Sequence, residues 1–147
     1  MAIVGFGFTK IEIERKKQLE GKISIRNNIA IRNVEDYELS ASGAKIDKDM
    51  KGMRFEFEFV SHYDPSESHI SIIGEVFYLT DKKKADETIK SWKKDKKIPS
   101  DIAPGILNYA LSRANVEAIA LSKEVTLPPP IPMPKISVEK GEENYIG

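Results

Sequence analysis

The chain has no cysteine, no net charge and no long apolar run, and each absence removes a class of function. Without cysteine there are no disulfides, no thiolate metal sites and no cysteine nucleophile, a composition expected of a cytoplasmic protein. Its 23 basic residues balance 23 acidic ones, so no global field draws it to nucleic acid or to an anionic membrane. No stretch approaches the roughly 18 apolar residues of a membrane span. The opening Met-Ala-Ile-Val-Gly lacks the basic flank and apolar core of a signal peptide. A phosphate-binding loop and a nucleophile elbow are missing, and Gly5 and Gly7 are followed by no third glycine opening a helix, so there is no dinucleotide fingerprint. The expectation is a non-enzyme that needs no cofactor and has neither a membrane nor nucleic acid as partner.

What is present is a sheet pattern followed by a helix pattern. Phe55, Phe57 and Phe59 alternate with Glu56 and Glu58, placing three rings on one face of a strand and carboxylates on the other. His62 to Ser68, with Pro65 at its centre, reads as a turn. Ile70 to Leu79 then returns with apolar residues on both faces, as an interior strand does. Upstream, Ile3 to Glu14 changes phase between Phe8 and Ile11, which predicts a bulge or a bend in a continuous strand. Ile23 to Ile31 predicts a second strand interrupted at Asn27-Asn28, continued by Val34, Tyr37 and Leu39. Ser40 to Lys51 reads as a solvated loop. The first strand is expected at an edge of the sheet.

After Leu79 the period becomes helical. Asp81 suits an N-cap, and Ala85, Ile89 and Trp92 form one apolar stripe on a lysine-rich helix ending near Lys97. Ile98 to Asp101 breaks that helix and caps the next, with Pro104 tolerated in a first turn. The second helix carries Ile106, Tyr109, Ala110, Ala114 and Leu121, more apolar surface than one sheet face needs, and these five residues are assigned to an oligomer interface. Leu127 to Pro134 must run extended, either as a strap on its own fold or as a ligand for a polyproline-reading domain. The whole predicts an α+β fold: a four-stranded antiparallel sheet, two helices and a proline-rich extended segment, in one domain over residues 1–138 with a polar tail over 139–147.

Little in the chain carries chemistry. His62 and His69 flank the turn, and facing each other across a hairpin they would offer two ligands to one metal, with Asp64 or Glu67 as a third; solvent-facing histidines are the simpler reading, and no metal is expected. The lysines of residues 82–97, with Trp92, have the makings of a nucleic-acid grip, but Asp86, Glu87 and Asp95 interrupt them and Trp92 is in phase with the buried stripe.

The order of these pieces resembles the SecB family of export chaperones. The most specific match is Ala103-Pro104-Gly105-Ile106-Leu107-Asn108-Tyr109-Ala110, continuing through Val116 to Leu127-Pro128-Pro129-Pro130. The resemblance covers Phe6 to Ile136. It implies a homo-oligomer, a dimer or a pair of dimers, whose apolar grooves hold unfolded polypeptide clients without ATP, with roles in protein export or in guarding an antitoxin. Two features depart from the family: there is no room for its final helix after Ile136, and a neutral chain with a lysine-rich first helix shows no acidic surface for a secretion motor. The groove is assigned to Phe6, Phe8, Ile11 and Ile13 of the first strand with Leu127 and Ile131 of the strap, because glycines beside the rings admit another backbone and prolines keep a wall extended. A small-molecule or lipid-like ligand binder and a structural subunit of a larger assembly are the competing readings.

Overall fold

A computed structural model describes residues 2–38 and 48–131. Leu39, residues 40–47 of the loop expected over Ser40 to Lys51, residues 132–134 of the strap, the brief return expected at Lys135 to Val138 and the tail 139–147 lie outside the described residues, and the last two residues of the expected loop, Met50 and Lys51, belong to a strand.

Four strands, β1 (Ala2–Glu14), β2 (Ser24–Tyr37), β3 (Met50–Asp64) and β4 (Ser68–Asp81), form one sheet in the order β1-β4-β3-β2, every neighbouring pair antiparallel. The phenylalanine-rich hairpin supplies the two interior strands, as its apolar content requires. Its turn is closed by side chains: Ser66 Oγ donates to the Tyr63 carbonyl at 3.0 Å and accepts from Ser68 N–H at 3.3 Å. β1 breaks register between Phe8 and Lys10, where the phase change predicts a bulge, and again between Ile3 and Gly5. The expected interruption at Asn27-Asn28 is not there. β2 runs through both asparagines, and its irregularity falls between Ile31 and Asn33. Asn27 stays in the strand because both ends of its side-chain amide are engaged, the oxygen accepting from Ser61 Oγ at 2.6 Å and the nitrogen donating to the Pro130 carbonyl at 2.9 Å.

Two helices, α1 (Lys82–Asp95) and α2 (Ala103–Ser122), cover one face. Asp81 caps α1, its carboxylate accepting from Lys84 N–H at 2.8 Å, and Ala85, Thr88, Ile89 and Trp92 are buried. Asp101 does not cap α2. The N-cap is Ile102, with no side-chain bond, because the Asp101 carboxylate is taken by Lys84 Nζ at 2.8 Å, an ion pair that ties the two helices together.

The core lies between the helices and the sheet. Met53, Phe55, Phe57, Phe59 and Tyr63 of β3 and Ile70, Ile72 and Val76 of β4 are completely buried. Gly74 makes room for the central ring, since a Cβ there would come within 2.7 Å of Phe57. α2 meets this layer through Ile106, Ala110, Ala114, Ala118 and Ser122, a fourfold spacing that keeps one stripe down on the sheet. Ile106, Ala110 and Ala114 were expected at an oligomer interface. All three are instead sealed inside their own chain, because mostly short side chains let the helix lie close to the sheet; Tyr109 and Leu121 stay half-buried on its flanks.

The opposite face of the sheet is open and ion-paired. Arg54 bonds Glu75 directly and reaches Glu35 at 2.7 Å and Glu56 at 3.5 Å, while Arg26 pairs with Asp64 at 2.7 Å and Arg32 with Glu58 at 3.6 Å. Over β2, β3 and β4 the carboxylates of Glu35, Glu56, Glu58, Asp64 and Glu75 are thus matched by guanidinium groups rather than gathered into an acidic field.

Candidate functional site

β1 and β2 are the two edges of the sheet, so the chain must cross the whole sheet between Glu14 and Ser24. It does so past the β3–β4 turn, where Lys16 N–H donates to Ser68 Oγ at 3.2 Å and Lys17 pairs with Glu67 at 3.7 Å. This crossover separates the residues assigned to one groove. Phe6, Phe8, Ile11 and Ile13 stand on β1, whereas the strap lies against β3 and β2, and the two sets do not line a common wall.

On the β1 side the rings are already occupied. Phe6 stacks on Phe57 at 5.6 Å, meets Phe8 edge-on at 5.1 Å and Tyr109 at 5.5 Å, and lies under the Arg113 guanidinium at 5.0 Å. Such aromatic and cation–π contacts fill this flank of α2 and stabilise it beyond simple area burial. Ile11, 41% exposed, and half-buried Ile13 continue along the edge.

On the β2 side the strap is latched. After a 3-10 turn at Lys123–Val125 the chain leaves regular secondary structure, and Leu127 enters the core. Proline carbonyls lack neighbouring donors of their own, so side chains supply them: Tyr63 Oη donates to the Pro128 carbonyl at 2.6 Å and Asn27 Nδ2 to that of Pro130. Burial pushes the Tyr63 phenol up to about 12, keeping it a donor. These bonds show Leu127 to Ile131 acting as a strap on its own fold.

Ile131 then closes one end of a cleft between α2 and β2. Asn27, Asn28 and Ile29 form its β2 side, Leu111 and Asn115 its helical side, and its volume is about 380 Å³. Among the described residues no charged side chain lines it. Aliphatic walls with amides at the rim can take an uncharged side chain while bonding the peptide groups beside it. Sequence reasoning assigned Ile131 to a groove shared with β1 rather than to this cleft, and did not assign Ile29, Leu111 or Asn115 to any site. The signal was the pair Leu111 and Asn115, one helical turn apart and adjacent to the buried stripe.

No protein-family model and no curated protein matches the chain. Among solved structures it is similar to a SecB-like chaperone from Mycobacterium tuberculosis in complex with a ChAD peptide from the HigA1 antitoxin, at 9% identity, with 95% of this chain and 92% of that chain covered and a TM-score of 0.52. The likeness is one of fold: a four-stranded antiparallel sheet followed by two helices, the α+β SecB-like architecture.

Proposed function

We propose that this protein is an ATP-independent, chaperone-like binder of unfolded or non-native polypeptides, and that the cleft between α2 and β2 is where it holds them. The observation that carries the reading is an open, uncharged, partly aliphatic cleft beside a sheet edge that pairs with no other strand among the described residues. An extended segment laid along β2 would gain backbone hydrogen bonds from that edge and seat one apolar side chain against Ile29, Leu111 and Ile131. The fold likeness to a chaperone solved with an antitoxin peptide supports the same reading.

Magnitudes shape the rest. Burying one large apolar side chain contributes about 2–3 kcal/mol, too little by itself to hold a client even at about 1 mM. Useful affinity therefore requires several clefts acting on one chain, which favours a homo-oligomer, dimer or tetramer, over a monomer. Its contact surface must differ from the stripe buried on the sheet; Val116, 68% exposed on α2, is the outstanding apolar candidate. The setting is the cytoplasm, in export or in protection of an antitoxin. Beyond the filled rings, Ile11 and Ile13, with Phe8 still half-buried, offer a second, lesser contact along β1.

The test is suppression of aggregation of a denatured client, followed by light scattering. The wild-type protein in excess should suppress it, and Leu111→Trp, which fills the cleft, should not, with far-UV spectrum and sedimentation unchanged. Absence of suppression by the wild type would sink the proposal, and a defined small molecule recovered from the purified protein would favour the ligand-binding alternative. Phe8→Ser tests the second contact: weaker client binding with unaltered folding supports it, whereas unfolding assigns Phe8 to the core.

A further inference from the structure

The two histidines beside the β3–β4 turn take no part in the cleft. They lie on the other face of the sheet, and the pairing register puts them in company that the hairpin alone does not reveal. Glu14 of β1 stands directly opposite His69 of β4, and His69 directly opposite His62 of β3, so three potential ligands form one line across three strands. Glu12 is two residues along β1, on the same face, with Oε1 3.2 Å from His69 Nε2. The ligand atoms of Glu12, Glu14 and His69 all fall within 4.8 Å of one another.

The geometry points to a divalent transition-metal site made by His69, Glu12 and Glu14, with His62 placed to add a fourth ligand. Zinc is bound at about 2.0–2.2 Å by imidazole nitrogen and carboxylate oxygen, so tetrahedral ligand atoms sit roughly 3.4 Å apart, against the 4.8 Å within which this set already lies. One imidazole with two carboxylates suits zinc and its neighbours, whereas calcium and magnesium prefer oxygen ligands throughout. The backbone frame is firm, because His69 belongs to an interior strand and both carboxylates to the strand hydrogen-bonded beside it. Lys10 Nζ, 3.6 Å from Glu12 Oε2, is the competing cation. A bound ion would staple the edge strand β1 to β4 on the face away from the α2–β2 cleft, so the site stands independently of that cleft.

Calorimetric titration of the full chain with Zn²⁺, with Co²⁺ absorption as a second probe, tests the site. One ion per chain is expected, with a Zn²⁺-dependent rise in Tm and no saturable response to Mg²⁺. His69→Ala should weaken Zn²⁺ affinity at least tenfold, as should the pair Glu12→Gln and Glu14→Gln together; Lys10→Met should tighten it, and His62→Ala should weaken it less than His69→Ala does. All these positions are surface-accessible, so unchanged far-UV spectra are expected throughout. No saturable Zn²⁺ binding, or wild-type affinity in either His69→Ala or the double glutamine variant, overturns the proposal. Loss in His62→Ala with retention in the glutamine pair also overturns it, because the ion would then sit between the histidines.

Discussion

The two flanks of α2 face opposite edges of the same sheet, and one is filled while the other is open. Toward β1, Tyr109 and Arg113 close on Phe6, which in turn rests on Phe57 and Phe8. Toward β2, Leu111 and Asn115, with the same spacing along the helix, face Ile29 across a cleft of about 380 Å³. Helical geometry is identical on the two sides. Side-chain volume makes the difference: rings reach across the gap between helix and edge strand, while an aliphatic chain and an amide do not. The filled flank is therefore expected to serve stability and the open one binding.

Paired truncations sharpen this contrast most. Phe6→Ala should cost about 2–3 kcal/mol in urea unfolding, below the full core value because Phe6 is only half-buried. Leu111→Ala, at the margin of a space that is already empty, should cost about 1 kcal/mol yet weaken client binding more. Equal losses of stability with equal effects on binding would erase the distinction between the flanks.

The strap that ends the open flank comes next. Tyr63→Phe leaves the Pro128 carbonyl without its donor and should cost about 1–2 kcal/mol. It should also alter the alkaline limb of stability. The folded phenol, raised by burial from 10.0 to about 12, keeps its proton after the unfolded one has lost it. Stability from this group is complete below pH 10 and disappears as pH rises through about 12. Thermal melts across that window should show the loss in the wild type and a shallower one in Tyr63→Phe. The smallest effect is expected beneath the helices at Thr80, whose buried hydroxyl has no hydrogen-bond partner among the described residues. Thr80→Val should be neutral or stabilising by up to about 1 kcal/mol, and a marked destabilisation would reveal a partner for that oxygen.

Much of the architecture was legible in the chain. Alternation of Phe55, Phe57 and Phe59 with glutamates, and the two-sided apolar run after the turn, identified the interior hairpin. Asp81 and the Ala85, Ile89 and Trp92 stripe identified α1 and its buried side. Local signals failed where a distant group competed for a residue. Asn27 reads as a kink, but Ser61 and Pro130 use its amide within a continuous strand; Asp101 reads as a cap, but Lys84 claims its carboxylate. The apolar surplus of the second helix was visible, yet which part of it faces the sheet was not, and Ile106, Ala110 and Ala114 went inward.

The sequence by itself determined the elements, because periods of two and of about 3.6 are imposed by backbone geometry within a few residues. It also determined that β4, apolar on both faces, is interior, and that β3 buries its phenylalanine face. The tertiary structure alone decided that β1 pairs with β4 across more than fifty intervening residues, that β1 and β2 become opposite edges, and that the strap comes to lie against β2. Strand order brought Glu12 and Glu14 to His69 and separated Phe6 and Phe8 from Ile131. The reason is that an amphipathic strand records which of its faces is buried, whereas the choice of neighbour depends on the combined packing of all the strands and helices.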